Sequence, residues 1–232
     1  MVDPMSETLI PPPGLDLIVF DWDGTLMDST AAIAESIRSA AADLRLTIPT
    51  REQAAHVIGM GLAAALRHCV PDLPRERYAE FGERYRVHYQ ARDPDLIPFD
   101  GVVAMLEALS TGPVPLAIAT GKSRSGLERA LDAIRWRHHF AGTRCADDGL
   151  AKPDPWMLRD LMGELGARPE RTVMIGDTTH DLAMARAAGT RAIAVTYGAH
   201  PRAALLQEPT IAMVDSAAQL HEELNRLLSA SR

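Results

Sequence analysis

The arrangement of short apolar runs is the feature that most constrains the fold of this chain. Such runs occupy positions 17–20, 114–119, 172–175, 192–195 and 211–214. Each has the length of a strand and is apolar almost throughout. Strands that are buried on both faces show this continuous pattern, which is typical of parallel sheets covered by helices. The runs therefore predict a parallel sheet in the interior of the protein.

Helical patterns separate these predicted strands. Leu127, Leu131 and Ile134 recur at helical spacing after Ser123, which is a candidate N-cap, and a later helical pattern ends at Gly189, which suits the position just after a helix. Strands that alternate with helices of this length predict an α/β fold. We therefore expect a Rossmann-like core with a doubly wound parallel sheet.

The segment 28–97 breaks the alternation. It contains one helical pattern between positions 33 and 44 and another, rich in tyrosine, between positions 78 and 89. Because it contains no convincing strand, we expect an all-helical cap domain inserted after the first strand, with the tyrosine stripe serving as its own core. The predicted boundaries are a tail at 1–14, a core at 15–27 and 98–232, and the cap at 28–97.

Composition narrows the class of protein. The formal net charge of -7 argues against a nucleic-acid or anionic-membrane partner, since both require basic surface. No apolar run approaches the roughly 20 residues that span a bilayer, and the N-terminus lacks the pattern of a signal peptide. These features predict a cytoplasmic protein, in which Cys69 and Cys145 are buried thiols instead of a disulfide.

The first of four polar segments follows the first predicted strand and reads Asp21-Trp22-Asp23-Gly24-Thr25. Two carboxylates at this spacing repel one another unless a cation lies between them or one keeps a proton. Ligands of open α/β sheets bind outside the carboxyl ends of the strands, where this segment lies. Taken alone, the segment also fits a polar turn with Gly24 at positive φ.

Two further segments offer groups that suit an anion. Thr120 offers a hydroxyl at the end of the second predicted strand, and Ser123 begins a helix, whose N-terminus attracts negative charge. The glycine that a nucleotide-binding loop of the Walker type requires is absent, so that function is rejected. The third segment holds Lys152, one of only two lysines in the chain, before a proline-initiated helix, where it indicates a fixed positive charge.

The fourth segment places Asp177 at the end of a predicted strand and Asp181 in the first turn of the next helix. A carboxylate in a first turn is favourable to the helix dipole, which explains Asp181 without a ligand. Hard oxygen ligands from Asp21 and Asp177 suit Mg²⁺. His180 is expected to face solvent or to form a local hydrogen bond, and not to bind the metal.

Taken in order, these four segments resemble the motifs of the haloacid dehalogenase superfamily of phosphatases. The core resembles that family from about residue 15 to 225, and the helical insert looks like its C1-type cap. Among its members, the chain is most similar to the phosphoglycolate phosphatase-like group, on the segments Ala-Lys-Pro-Asp-Pro, Gly-Asp-Thr-Thr-His-Asp and Ala-Arg-Ala-Ala-Gly. The resemblance implies hydrolysis of a small phosphorylated metabolite, with phosphoglycolate as the leading substrate and a monomer or small homo-oligomer as the assembly.

The resemblance also implies a role for each matched residue. Asp21 would form an aspartyl-phosphate, and Asp23 would protonate the leaving oxygen and then activate water. We expect Asp23 to act as an acid only when the cap is closed over bound substrate. The other implied roles are phosphate binding by Asp21, Gly24, Thr25, Thr120, Gly121 and Lys152, and Mg²⁺ binding by Asp21, Asp23 (through its backbone carbonyl), Asp177 and Asp181, with Asp181 acting directly or through a water.

The same residues distinguish this activity from related activities of the family. A haloacid dehalogenase proper lacks the second carboxylate and the metal, so Asp23 argues against it. A phosphonate hydrolase of the family requires a cap lysine, and no lysine occurs between residues 1 and 121. A phosphosugar mutase stays open and would differ in releasing no free phosphate.

Two alternatives come from other classes of protein. A receiver-type signalling domain also carries Asp, Thr and Lys at strand ends, but it would lack the helical insert and the Asp-Gly-Thr sequence. A phosphate-binding protein without catalysis is the other alternative.

In the cap, Arg51, His56, Arg67 and His68 are cations or potential cations that we expect to be solvated instead of meeting the substrate.

Overall fold

Six parallel strands form a single sheet in the computed structural model, which describes residues 14–229. The order of the strands across the sheet is β3-β2-β1-β4-β5-β6. Their bounds are β1 Leu17–Phe20, β2 Leu116–Ala119, β3 Gly142–Arg144, β4 Thr172–Gly176, β5 Arg191–Val195 and β6 Ala212–Val214. This is the doubly wound order, in which the chain builds outward from β1 on one side and from β4 on the other.

The α/β fold and its parallel sheet are confirmed, and all five apolar runs form strands, four of them with ends that differ slightly from the predicted ones. The strand β3 was not predicted because its three residues, Gly142–Arg144, are half-buried at the sheet edge and contain no apolar run. The predicted N-terminal tail lies outside the described residues, apart from Gly14.

Ten α-helices connect the strands or form the insert within the described residues. Ser123 caps one of them, since its hydroxyl accepts a hydrogen bond from the Gly126 N–H at 3.2 Å, and Gly189 follows another with φ of 75°. Both predicted helix ends are thereby confirmed. The helix bounds are α1 Thr30–Asp43, α2 Arg51–His56, α3 Leu62–Cys69, α4 Tyr78–Gln90, α5 Val102–Ser110, α6 Arg124–Ile134, α7 Trp156–Leu165, α8 Thr179–Ala188, α9 Arg202–Leu205 and α10 Ala217–Ser229.

Helices cover both faces of the sheet, which is why the strands are apolar without alternation. Ile18 and Phe20 of β1 project into a hydrophobic cluster shared with α5, α6 and α10. Leu17 and Val19 project to the opposite face, into a second cluster shared with α7 and α8. The central strands are therefore rigidly held, and the loops that follow them are positioned by a packed core.

The segment between β1 and α5 has a hydrophobic cluster of its own. Side chains from α1 to α4 form it, with Ile37, Leu66 and Phe81 among its buried members. The described part of this segment contains helices and turns but no strand of the sheet. We call residues 28–97 the cap, and the boundaries of its division from the core stay a prediction.

Two smaller expectations concern thiols and membranes. Cys69 and Cys145 are free and buried, as predicted. Among the described residues, no helix combines the length and the apolar character that crossing a membrane would require.

Candidate active site

The site lies where the sheet changes its winding direction, between β1 and β4. Phe20 of β1 is in register with Ile175 of β4, so the residues that follow the two strands lie side by side. Asp21 follows β1 and Asp177 follows β4. The carboxyl ends of the strands meet here, which is the position where doubly wound sheets bind ligands.

Three buried carboxylates and one lysine form the centre of the site. Asp21, Asp177 and Asp181 are each at most 1% exposed and offer oxygens that lie within 4.8 Å of one another. The Lys152 Nζ donates to Asp21 Oδ1 at 2.7 Å and to Asp181 Oδ1 at 2.6 Å. Four groups from three segments that are distant in the sequence thus form one cluster, in which negative charge exceeds positive charge.

The electrostatics of this cluster follow from its burial. Loss of solvent raises the pKa of Asp21 to about 7, with Lys152 opposing and Asp181 reinforcing the shift. Burial, followed by the charges of Asp21 and Asp181, also raises the pKa of Asp177 well above its ordinary value. Burial opposes the charged form of Lys152, but the charges of Asp181 and Asp21 outweigh it and raise the pKa of the lysine.

The donor set fits a hard divalent cation. Asp21, Asp177 and Asp181 supply carboxylate oxygens alone, which is the ligand type that Mg²⁺ prefers. A cation would offset the burial and the neighbouring charges of Asp21 and Asp181 that together raise the pKa of Asp177. These three residues are therefore the group, within the described residues, that is suited to holding the metal that the sequence predicts.

Glycines allow the backbone to approach these carboxylates closely. A Cβ at Gly24 would lie 2.2 Å from Asp177 Oδ2, and Gly24 also has φ of +87°. A Cβ at Gly198 would lie equally close to the same oxygen, and one at Gly176 would lie 2.3 Å from Asp181. Gly24 was predicted as part of the phosphate site, whereas no sequence pattern singled out Gly198.

Hydroxyl groups near the cluster have defined partners. The Thr25 hydroxyl donates to Asp177 Oδ1 at 2.9 Å, and the backbone N–H of Ala199 donates to Asp177 Oδ2 at 2.7 Å. Thr120 is buried after β2, and its hydroxyl accepts from the Lys122 N–H at 3.2 Å. Thr25 thus fixes Asp177, while Thr120 lies at the strand end that the sequence assigns to phosphate.

The side chain of Asp23 is not part of this carboxylate cluster and contacts Lys122 instead. The Lys122 Nζ lies 3.0 and 3.1 Å from the two carboxylate oxygens of Asp23, and the Ser29 hydroxyl donates to one of them at 2.7 Å. Lys122 also donates to the Tyr89 hydroxyl of the cap at 2.8 Å. No role was predicted for Lys122, Ser29 or Tyr89 at the site, although the scarcity of lysine offered a signal for Lys122.

Comparison with known families identifies the family of the chain. The family model of haloacid dehalogenase-like hydrolases matches residues 18–195, which carry all four polar segments. The chain belongs to this family.

Named relatives of this haloacid dehalogenase-like hydrolase resemble it along nearly the whole chain. A phosphoglycolate phosphatase of Agrobacterium fabrum is 28% identical over 219 residues, covering 92% of this chain and 94% of the relative. The probable phosphatase IndB of Dickeya dadantii is 32% identical over 221 residues, covering 93% and 96%. The crystal structure of a predicted phosphoglycolate phosphatase from Haemophilus somnus has a TM-score of 0.81 at 25% identity, covering 90% and 97%. The chain is accordingly a phosphatase with the fold of this family.

The cap of this phosphatase contacts the core through histidines. His180 is buried, and its Nε2 lies 2.9 Å from the His56 carbonyl oxygen, while the His200 Nε2 lies 3.0 Å from the same oxygen. The expectation that His180 faces solvent or bonds locally was wrong, because the cap folds back over the start of α8. The His56 ring, though exposed, stacks on His200 at 5.0 Å.

Three other cap residues for which the sequence predicts solvation lie at the surface. Arg51, Arg67 and His68 are exposed, as expected.

The loop before α3 approaches the core so closely that a Cβ at Gly121 would lie 2.6 Å from the Gly59 carbonyl oxygen. The absence of a Cβ at Gly121 therefore lets the cap rest on the core, while phosphate binding by Gly121 stays a prediction.

Proposed function

We propose that this phosphatase hydrolyses a small phosphomonoester through an aspartyl-phosphate on Asp21, with Mg²⁺ as cofactor. The observation that carries the proposal is the state of the Asp21 carboxylate. Its Oδ1 is held by Lys152, while its buried Oδ2 has no hydrogen-bond partner among the described residues. An oriented carboxylate with one free oxygen is suited to nucleophilic attack on phosphorus.

In the first step, the Asp21 oxygen forms a bond to phosphorus and the bond to the leaving oxygen breaks. Lys152 orients Asp21 and, together with the Thr120 hydroxyl, binds the oxygens of the transferring group. Asp23 donates the proton that the leaving oxygen requires. This step yields the aspartyl-phosphate and the free alcohol.

In the second step, Asp23 takes a proton from a water molecule as that water attacks phosphorus. The bond between Asp21 and phosphorus breaks, which releases inorganic phosphate and restores the carboxylate. The hydrogen bonds from Lys122 and Ser29 orient Asp23 for this role as base. Its role as acid in the first step requires the closed cap and bound substrate, as the sequence predicts.

Asp21, Asp177 and Asp181, together with the Asp23 backbone carbonyl, are the groups proposed to hold Mg²⁺. When bound, the metal supplies positive charge that offsets the charge of the phosphoryl group. Thr25 and the Ala199 N–H keep Asp177 oriented for this task. Gly24 and Thr25 also stay proposed as phosphate-binding positions.

Phosphoglycolate is the first compound to test, since two of the similar proteins bear the name phosphoglycolate phosphatase. Other small phosphorylated metabolites follow it in the screen. Three further expectations stay predictions. The cap at 28–97 acts as a lid over the site, the protein is cytoplasmic, and it has no nucleic-acid or membrane partner.

A phosphate-release screen of phosphorylated metabolites with Mg²⁺ tests the proposal. We expect turnover of at least one compound and its complete loss in Asp21→Asn. Rapid quenching followed by peptide mass spectrometry should locate a phosphoryl group on the peptide that contains Asp21. Normal turnover by Asp21→Asn would overturn the mechanism, and conversion of a sugar phosphate without phosphate release would indicate a mutase.

A further inference from the structure

A cavity of about 190 Å³ lies between the cap and the core and reaches Asp23. Gly121 and Lys122 line it on the core side, next to Asp23. The cavity therefore begins at the group that is proposed to protonate the leaving oxygen. This space is therefore available to a group attached to that oxygen.

The walls of the cavity are formed mostly by apolar side chains of the cap. The helices α1, α3 and α4 contribute buried residues such as Ile37, Leu66 and Phe81. The rings of Tyr85 and Tyr89 stack on one another at 5.7 Å and add an aromatic wall. Water gains few hydrogen bonds against such walls, so an apolar group would be stabilised there relative to solvent.

Charged groups other than Asp23 and Lys122 line the cavity only at its edges. Arg86 and Arg129 are exposed and lie at the rim, where solvent screens their charge. Lys122 is the buried cation of the lining, and its ammonium already donates to Asp23 and Tyr89. A second anion on the substrate would have to lose its hydration without gaining a free buried partner, which is costly.

We propose that the physiological substrate is a phosphomonoester whose leaving group has an apolar body, either alkyl or aryl, that fills this cavity. The proposal rests on the proposed phosphatase function and specifies its substrate class. The small, charged leaving group of phosphoglycolate would fill little of the space and would place its carboxylate near apolar walls. Ala65, which lines the cavity on α3, is a specificity-determining position because a larger side chain there would take up the space.

A series of n-alkyl phosphates from methyl to butyl tests this substrate class. The leaving alcohols have nearly the same basicity, so the chemical step is matched and burial is the main variable. We expect kcat/KM to rise about 4-fold per added methylene, or about 60-fold over the series, which corresponds to about 0.8 kcal/mol per methylene. Butyl phosphate should also exceed phosphoglycolate, which serves as the reference compound.

A matched pair of variants on α3 localises the effect. Ala65→Phe should reduce the butyl-to-methyl ratio of kcat/KM from about 60 to near 1. Ala63→Phe adds the same ring at an exposed position outside the cavity lining and should keep the wild-type ratio. If Ala65→Phe fails to fold, the chain-length series on the wild-type protein still decides the question.

The outcomes separate the two proposals. Phosphate release that is flat across the alkyl series, or a preference for phosphoglycolate over butyl phosphate, would overturn the apolar substrate class and leave the phosphatase function standing. Equal ratios in Ala65→Phe and wild type would overturn the assignment of this cavity. Failure to release phosphate from any compound, including the reactive donor acetyl phosphate, would overturn the proposed function itself.

Discussion

Lys122 donates hydrogen bonds to both carboxylate oxygens of Asp23, at 3.0 and 3.1 Å, although 99 positions separate the two residues. The same ammonium donates to the Tyr89 hydroxyl at 2.8 Å. Because Tyr89 belongs to the cap and Asp23 to the segment after β1, Lys122 links the proposed proton-transfer residue to the cap. We therefore expect the position of the cap to influence the orientation of Asp23.

Replacing Lys122 tests this coupling. Lys122→Met removes the ammonium but keeps a side chain of similar length, so Asp23 loses two of its hydrogen bonds and its fixed orientation. We expect kcat to fall about 100-fold, the usual cost of misplacing a catalytic group by about 1 Å. Arg84→Met, which removes an exposed cap cation outside the cavity lining, is the control and should retain wild-type kcat. A kcat for Lys122→Met equal to that of this control would refute the orienting role.

Gly24 offers a test of the backbone requirement at the carboxylate cluster. In Gly24→Ala, the new Cβ would collide with Asp177 and the residue would keep an unfavourable positive φ. We expect a loss of activity together with a loss of more than about 1 kcal/mol in the free energy of unfolding. Gly166→Ala is the matched control, because Gly166 has φ of +66° but open space around its Cβ position.

The control should cost about 1 kcal/mol from strain alone and leave activity intact. Urea unfolding and phosphate release measured on both variants separate strain from collision. Full activity in Gly24→Ala would show that Asp177 does not need its present position.

Mg²⁺ should stabilise the protein through Asp177. At a metal concentration about 100 times the dissociation constant, we expect a gain of about 2.7 kcal/mol in the free energy of unfolding. Asp177→Asn should remove most of this gain, whereas Asp160→Asn, which alters an exposed partner of Arg144, should retain it. Thermal unfolding with and without Mg²⁺ measures the effect independently of activity.

The stabilisation by Mg²⁺ should also increase with pH. Burial raises the pKa of Asp21 to about 7 in the metal-free protein, so protons compete with the metal below that pH. We expect a larger shift of Tm by Mg²⁺ at about pH 8 than at about pH 6. A shift that is equal at both pH values would contradict the assignment of Asp21 as a ligand.

Protonation of His200 should lower the free energy of unfolding in acid. Its Nδ1 accepts a hydrogen bond from the Thr179 N–H at 3.1 Å, which leaves its Nε2–H to donate to the His56 carbonyl oxygen. Burial lowers the pKa of His200 from 6.5 to about 4, so the unfolded chain takes up the proton first. The contribution of neutral His200 is complete above pH 6.5 and is lost as pH falls toward 4, by up to about 3 kcal/mol.

His200→Gln isolates this contribution. A glutamine can accept from Thr179 and donate to His56 without titrating, so the free energy of unfolding of the variant should depend less on pH between 6.5 and about 4. His221→Gln on α10 serves as the control. Identical pH dependence in His200→Gln and the wild-type protein would show that His200 is not the titrating group.

Local patterns determined much of this protein. The apolar runs identified five of the six strands, because strands buried on both faces must be apolar wherever they occur. Since ligands of such sheets bind at the carboxyl ends of the strands, the same runs predicted that Asp21, Thr120 and Asp177 lie at these ends, and the structure places all three there. The scarcity of lysine pointed to Lys152 as well, and its ammonium lies 2.7 Å from Asp21 Oδ1 in the folded protein.

The tertiary structure decided what these residues contact. Lys122 contacts Asp23, and Gly198 packs against Asp177. The ring nitrogens of His180 and His200 lie within hydrogen-bond distance of the His56 carbonyl oxygen. These contacts form because the cap and the loop after β5 fold over the strand ends. None of these partners is close in sequence, and no periodicity encodes which loop meets which strand end. The apolar cavity likewise depends on the tertiary structure. The side chains of the helices that form its walls could equally have packed against one another without leaving space.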